Sequence, residues 1–596
     1  MCGIVGYIGK KKCLPILIDG LKKLEYRGYD SAGVAYLKES DIKLVKSVGR
    51  IKSLEEKIDN AIDTYVGIGH TRWATHGEVN KVNSHPHHSG DIVIVHNGII
   101  ENYLEIKDFL ITKGYTFYGN TDTEIACAYI DYEYKNSDKT DMITILNKCA
   151  KKFVGSYAIV VMVKSISDKL FVMKKDSPLI IANGKDGNYI ASDVSAFANN
   201  TNSYIILEDL EVGVVEENNI HIYKDMKEKD LTFIKIDKAV MDDDLGSYSH
   251  YMLKEIHEQT DLINNLNNKY LNNLDYLIDI SKYGKIHIIG CGTAYNAGLV
   301  GKCLIERYVD IEIHVFIASE YRYQKLFIDE NTLVIVVSQS GETADTLACI
   351  KKVKEFGCET LGIINVKNSS IARSVDNVIY TEAGIEVAVA STKAYVSQVY
   401  IFSLLAFKLG IMNSTLDKDV ISSEYNKLSK YIKKIINIDY SNISKILFKH
   451  EHIFYLGRGI DYFSMLEGAL KIKEISYIHS EAIAAGELKH GSISLIDKGT
   501  PIISLITDSN ICSKTISNIK EVKSRGAYVI LLVTNSIKKV IDRECYDDII
   551  VIDDISDILS PILSVIPLQL IAYYTALEKQ CDIDKPRNLA KSVTVE

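Results

Sequence analysis

Three groups of residues have types and spacings able to do chemistry. The first opens the chain, Met1-Cys2-Gly3-Ile4-Val5-Gly6. The small Cys2 side chain suits removal of Met1, which leaves a thiol and a free α-amino group on one residue. An α-amino group titrates near ~7.7–8.0 and can accept the thiol's proton. The thiolate is the reactive form, and such a pair suits amide hydrolysis by acyl transfer. The hexapeptide also reads as the start of a buried edge strand with Gly3 and Gly6 as turn residues, so residues further on must decide.

Polar residues gather downstream at His70-Thr71-Arg72-Trp73-Ala74-Thr75-His76-Gly77, at His96-Asn97-Gly98 after an apolar strand, and at Gly119-Asn120-Thr121-Asp122-Thr123-Glu124 before a helical run. A thiolate attacking an amide needs donors for the developing oxyanion. The Asn97 amide and the Gly98 N–H can supply them, each such donor being worth ~2.7–4 kcal/mol. The carboxylate of an amino acid would suit the forked guanidinium of Arg72, and its ammonium the carboxylate of Asp122. Asp122 reads equally well as a helix N-cap. Six of the 15 histidines lie between His70 and His96, but carboxylates or thiolates at metal-binding spacing do not accompany them, so no metal is expected.

The second group is Ser338-Gln339-Ser340-Gly341-Glu342-Thr343, where the strand Leu333–Val337 hands over to a helix. Free N–H groups and the helix dipole favour an anion there. Ser338, Gln339, Ser340 and Thr343 without a lysine suit a phosphate monoester better than a nucleotide. In the third group, Glu467, Lys471 and Glu474 are spaced by four and three and share a helix face. They read as a solvated ion-pair ladder or, half-buried near His479 and His490, as a proton-shuffling site for a sugar carbonyl.

The elements that must position these groups change character along the chain. Residues 1–235 are β-rich, with helical patterns at 13–24 and 101–113, which predicts two packed sheets with helices outside. Residues 236–280 form a linker and its helix, ordered rather than floppy. From 281 the pattern is βα. Gly290-Cys291-Gly292 matches Gly457-Arg458-Gly459 at an offset of 167, and Gly357 matches Gly526 at 169. Two near-equal offsets predict a duplicated doubly wound domain, at 281–430 and 431–585, with a tail at 586–596. A second-copy Asp508 would repel phosphate.

The bulk composition agrees. The 596 residues suffice for several domains; 47% hydrophobic and 25% charged residues are ordinary for a soluble globular protein, and a net charge of −9 argues against a general nucleic-acid binder. Eleven cysteines without a Cys-x-x-Cys pair point to a reducing, cytoplasmic compartment. No signal peptide is expected, nor an apolar run approaching the ~18 residues that span a bilayer.

With Glu25-Tyr26-Arg27-Gly28-Tyr29-Asp30-Ser31-Ala32-Gly33 added, the N-terminal motifs resemble those of the N-terminal-nucleophile glutamine amidotransferases. The resemblance implies an αββα sandwich with Cys2 as nucleophile, Asn97 and Gly98 as oxyanion hole, Arg72, Thr75, His76 and Asp122 as glutamine-binding residues, and Trp73 as the gate for ammonia. The two later domains resemble sugar isomerase (SIS) modules. End to end the chain is similar to the glucosamine-6-phosphate synthase family, through Ser338–Thr343, Ala390-Ser391-Thr392-Lys393-Ala394, Lys471–His479, Glu487–Gly491 and Pro586–Glu596.

That resemblance implies a glutamine-dependent aminotransferase that makes glucosamine 6-phosphate and glutamate from fructose 6-phosphate and L-glutamine, without a cofactor, as a first step to amino sugars. It implies proton transfer by Glu474 assisted by Lys471, ring opening by His490 from the other subunit of a homodimer, and Lys591 at the carbonyl. It also implies that Thr293, Val389 and Ser391 line the sugar phosphate, and that the tail is ordered beside the sugar site. The chain departs at Ala294, where the family commonly has a serine, and lacks the insertion of regulated members. A phosphoribosyl amidotransferase is excluded because Ile555-Ser556-Asp557 follows Val551-Ile552-Asp553-Asp554 where Gly-Thr-Thr is needed. Joint retention of Cys2, Glu474 and Lys591 argues against a sugar-phosphate sensor that has lost catalysis.

Overall fold

The structure, a computed structural model, describes residues 2–74, 77–138, 141–236 and 244–594. The chain divides into two compact units, Met1–Asp243 with Ser592–Glu596, and Asp244–Lys591.

In the first unit two sheets stack between helices, as the strand pattern predicts. One runs in the order Ile234–Lys235, Ser203–Ile206, Ile180–Gly184, Gly187–Ala191, Gly3–Gly9, Val66–Arg72, Ser31–Lys38, Asp41–Val48. The other runs Lys227–Lys229, Ile220–Lys224, Glu211–Val215, Ile166–Lys175, Gly155–Val163, Ile92–Ile100, His87–Ser89. Alternate side chains of a strand face opposite ways. Ile4 and Ile8 therefore enter the layer between the sheets with Ile68, Val95 and Val172, while Val5 and Tyr7 pack outward against the helix Cys13–Leu24. Helices Tyr103–Thr112, Asp122–Lys135 and Met142–Lys152 cover the other sheet. The strand after Cys2 is interior rather than an edge, flanked by Gly187–Ala191 and Val66–Arg72. Gly3 pairs with Thr71, which delivers Cys2 beside Arg72.

The second unit holds two five-stranded parallel sheets. The first runs Glu312–Ile317, Lys285–Gly290, Thr332–Ser338, Glu359–Ile364, Asn377–Tyr380; the second runs His479–Ala484, His452–Gly457, Pro501–Ile506, Tyr528–Thr534, Asp548–Ile552. Both have the strand order 2-1-3-4-5 of a doubly wound fold. The duplication extends to backbone angles. Gly292 (φ 53°, ψ −124°) and Gly459 (φ 55°, ψ −130°) precede equivalent helices in a conformation that side chains resist.

One continuous core joins the two copies through helices Tyr251–Leu266, Lys393–Met412, Ile460–Ser476 and Ser560–Glu578. Two of these, Lys393–Met412 and Ser560–Glu578, correct the expectation that no apolar run reaches membrane-spanning length. Their apolar windows are 83% and 89% buried, so here that character serves interior packing on all sides.

Asp461, in the first turn of Ile460–Ser476, accepts the Thr507 N–H at 2.8 Å and the Thr507 hydroxyl at 2.5 Å, tying that helix to the end of Pro501–Ile506. Burial, with Asp508 adding to it, pushes this carboxyl from 3.8 up to about 7 against the pull of Thr507. Between those values the folded state binds the extra proton, so stability falls as pH rises and the loss is complete above about 7. Asp461→Asn keeps the neutral shape. It should raise Tm at pH 8, by roughly 1–2 °C per kcal/mol recovered in a unit of this size, and raise it clearly less at pH 5, where only part of the cost has been incurred, as read by calorimetry.

Candidate functional site

In the first unit the Cys2 thiol is partly exposed and lies against the Trp73 backbone, with the Trp73 N–H donating to Sγ at 3.3 Å and Sγ 3.5 Å from the Trp73 carbonyl. Burial pushes the thiol above its ordinary value, opposed by the Trp73 N–H and Arg72. Asn97 Nδ2 donates to the Cys2 carbonyl at 3.1 Å. Gly98 follows with φ 129°, and a Cβ there would sit 2.0 Å from the Ser156 carbonyl oxygen, so only glycine fits.

Arg72 is buried and donates to the carbonyls of Gly77 (3.2 Å) and Glu78 (3.3 Å). Asp122 is not the helix N-cap. Thr121 takes that role, accepting the Glu124 N–H, while Asp122 Oδ2 accepts the Ile100 N–H at 2.8 Å. Thr75 and His76, expected to hold glutamine, lie outside the described residues.

Sequence reasoning missed the residues that orient this centre. His70 Nε2 stands 2.9 Å from the His96 carbonyl and 3.1 Å from Asn97 Oδ1. A carbonyl only accepts, so Nε2 carries the proton, and the Asn97 oxygen must face it with the NH2 toward Cys2. Burial holds His70 neutral by lowering it to about 3. Asp30 accepts the Ala74 N–H at 2.8 Å and donates its own N–H to the Arg72 carbonyl at 3.0 Å, pinning the segment beside Cys2. Arg27 pairs with Asp193 at 2.8 Å, and Ser192 accepts the Ile4 N–H at 3.1 Å, fixing the Cys2 strand from the other side.

In the second unit the supposed solvated ladder is interior. Lys471 is fully buried, 3.3 Å from Glu467 and 2.6 Å from Glu474, and of the three only Glu474 reaches solvent, at 20%. Burial lowers the Lys471 ammonium's preference for its proton, but the two carboxylates more than offset that and the net shift is upward. Burial raises the Glu474 carboxyl, with Lys471 opposing. From the first copy, Thr293 bridges Glu467 (3.0 Å) and Lys471 (3.1 Å), and Asn296 donates to Glu467 at 2.8 Å.

Thr293 follows the first strand and Ser338 ends the third, where strand order reverses, the usual ligand crevice of such sheets. Ser338 Oγ accepts the Gly341 N–H at 3.0 Å and lies 3.4 Å from Thr343 Oγ1; Ser340 accepts the Glu342 N–H, and the half-buried Gln339 completes the turn before the helix Ala344–Lys354. In the second copy the matching Thr507 is occupied by Asp461. Lys591 is buried, donating to Glu386 at 2.5 Å and to the Ala388 carbonyl at 2.8 Å; Ser391 donates to the same Glu386 oxygen at 2.9 Å, beside the buried Val389. Nothing in the motif reading singled out Glu386. His490 stands exposed on the short turn Glu487–His490.

His70→Phe should preserve the stacking on His85, whose ring lies 3.9 Å away, but free the Asn97 amide to rotate. Steady-state assays should show glutaminase kcat falling by roughly 10²-fold, with glutamine KM little changed.

Comparison with known proteins adds to this geometry. A glutamine amidotransferase domain family matches residues 70–199, and the SIS domain family matches 279–408 and 446–579. The chain is 46% identical to a glutamine–fructose-6-phosphate aminotransferase [isomerizing] of Clostridium tetani and 42% identical to one of Methanosarcina acetivorans, each over 100% of both chains. Its structure resembles the C-terminal domain of the glucosamine-fructose-6-phosphate aminotransferase from Francisella tularensis, with a TM-score of 0.55 and 36% identity over 58% of this chain and 100% of that one. The thiol centre and the duplicated sugar-isomerase sheets thus agree with full-length sequence likeness, and the chain belongs to the isomerizing glutamine–fructose-6-phosphate aminotransferase family.

Proposed function

We propose that the chain hydrolyses glutamine at Cys2 and uses the ammonia to convert fructose 6-phosphate to glucosamine 6-phosphate at the second unit. The observation that carries this reading is that one chain holds two complementary centres. One is a thiol beside an oriented amide; the other is a partly exposed carboxylate beside a buried lysine.

After Met1 removal the α-amino group of Cys2 takes the thiol's proton, and the thiolate attacks the glutamine amide carbon. The oxyanion takes the second N–H of Asn97 and the Gly98 N–H. Arg72, Thr75 and His76 hold the substrate's carboxylate end and Asp122 its ammonium. Ammonia leaves, and water releases glutamate from the thioester. Trp73 gates delivery of the ammonia.

At the sugar site Ser338, Gln339, Ser340 and Thr343 hold the phosphate, while Thr293, Val389 and Ser391 line the sugar. His490, supplied by the other subunit of a cytoplasmic homodimer, opens the ring. Lys591 engages the C2 carbonyl as an imine that ammonia displaces. Glu474 takes a proton from C1 and returns it to C2, with Lys471 restraining its charge.

Cys2→Ala should abolish glutaminase activity while sugar isomerisation stays measurable; loss of both in a folded variant would count against separate sites. Ser340→Ala and Thr343→Ala should each raise the KM for fructose 6-phosphate by roughly tenfold or more, as expected for a lost hydrogen bond to a charged group. Unchanged KM in both would place the phosphate elsewhere.

A further inference from the structure

The loop 386–392 hangs almost entirely from carboxylates. Glu386 Oε1 accepts the N–H groups of Thr392 (2.9 Å) and Ala394 (3.0 Å). Glu255, one turn into Tyr251–Leu266, is fully buried, and its Oε1 accepts the N–H groups of Val387 (2.5 Å) and Ala388 (3.1 Å). Asp584 caps that helix by accepting the N–H groups of Tyr251 (2.8 Å) and Met252 (2.9 Å), and its carbonyl accepts the Val389 N–H at 3.0 Å. The carbonyl of Ala388, the same peptide segment that Glu255 grips, takes the Lys591 ammonium at 2.8 Å.

We propose that Glu255 is a positioning residue for the sugar site, a buried carboxyl clamp that sets the height of the 386–391 loop and thereby the place of the Lys591 amine. This rests on the reading that Lys591 works at the sugar carbonyl. Burial, and then the neighbouring Glu386, push the Glu255 carboxyl well above its ordinary range, against the pull of Lys591 and Lys393. Lys393, from the helix Lys393–Met412, is itself matched by Glu258 at 2.6 Å. Oε2 of Glu255 is buried with no hydrogen-bond partner among the described residues, so Oε1 alone carries the grip on the loop. A neutral acid still offers the carbonyl-type oxygen that both N–H groups need.

What matters in this reading is reach and not charge, and two conservative variants of the full chain separate them. Glu255→Gln presents an acceptor at the same reach without a charge; Glu255→Asp keeps the acid but withdraws it by one methylene. Glu255→Gln should keep synthase kcat within about twofold of wild type with an unchanged pH profile, whereas Glu255→Asp should lose roughly tenfold or more. The KM for fructose 6-phosphate should be unchanged in Glu255→Gln and rise in Glu255→Asp, since Val389 and Ser391 ride on the same loop, and the glutaminase rate should stay at the wild-type value in both. Borohydride trapping of fructose 6-phosphate should label Lys591 normally in Glu255→Gln and poorly in Glu255→Asp. The reverse order, with Glu255→Asp normal and Glu255→Gln impaired, overturns the inference, as do two variants of equal rate. Lys591→Ala, run alongside, separates the premises. If it makes product at the full rate, the reading of Lys591 falls; if it is inactive while Glu255→Asp is normal, only the clamp falls.

Discussion

Much of the second unit depends on one buried cation. Lys471 has no exposed surface, and an unpaired ammonium there would be severely penalised. It is answered by Glu467 and Glu474 from its own helix, but that geometry stands only because two residues of the first copy hold Glu467 in place, Thr293 donating to the oxygen that faces Lys471 and Asn296 to the other. The ion pair is therefore a registration device as well as a chemical one. It requires the helices Thr293–Ile305 and Ile460–Ser476 to meet in a single alignment, and that alignment leaves Glu474 the one acid of the pair with a path to solvent.

The duplication shows how far identical architecture can diverge in use. Both sheets have the same strand order and the same left-handed glycine before the first helix. In the first copy the hydroxyl-rich turn after the third strand leaves Ser340 and Thr343 at a helix start. In the second, Thr507 occupies the matching place but spends its N–H and hydroxyl on Asp461, and Asp508 stands beside it. The second crevice is closed from within by its own acid. What it supplies to the proposed chemistry is the helix carrying Lys471 and Glu474.

Much of this was legible in the sequence because the relevant signals are local. The β-rich pattern of residues 1–235, the Gly-x-Gly turns and the Ser338–Thr343 run each depend on neighbours within a few positions. The misreadings arose where long-range partners decide. Glu467, Lys471 and Glu474 have the spacing of a surface ladder, and only Thr293 and Asn296, some 170 residues away, make it an interior cluster. Asp122 looks like a cap until the Ile100 N–H claims it. His70 lies inside a motif, yet its use depends on the His96 carbonyl across the sheet stack. Glu255 and Glu386 carry no local signature, since a buried acid and an exposed one read alike in sequence. The two apolar helices escaped the sequence reading, which expected no apolar run of that length; apolarity on every side is shared by membrane spans and core helices, and only the packing tells them apart.

Trp73 is the single tryptophan among 596 residues, and its backbone lies directly against the Cys2 sulfur. An optical consequence follows. Light absorbed at the red edge of the protein band excites one indole only, so the emission of the whole molecule originates at the residue whose backbone touches the Cys2 sulfur.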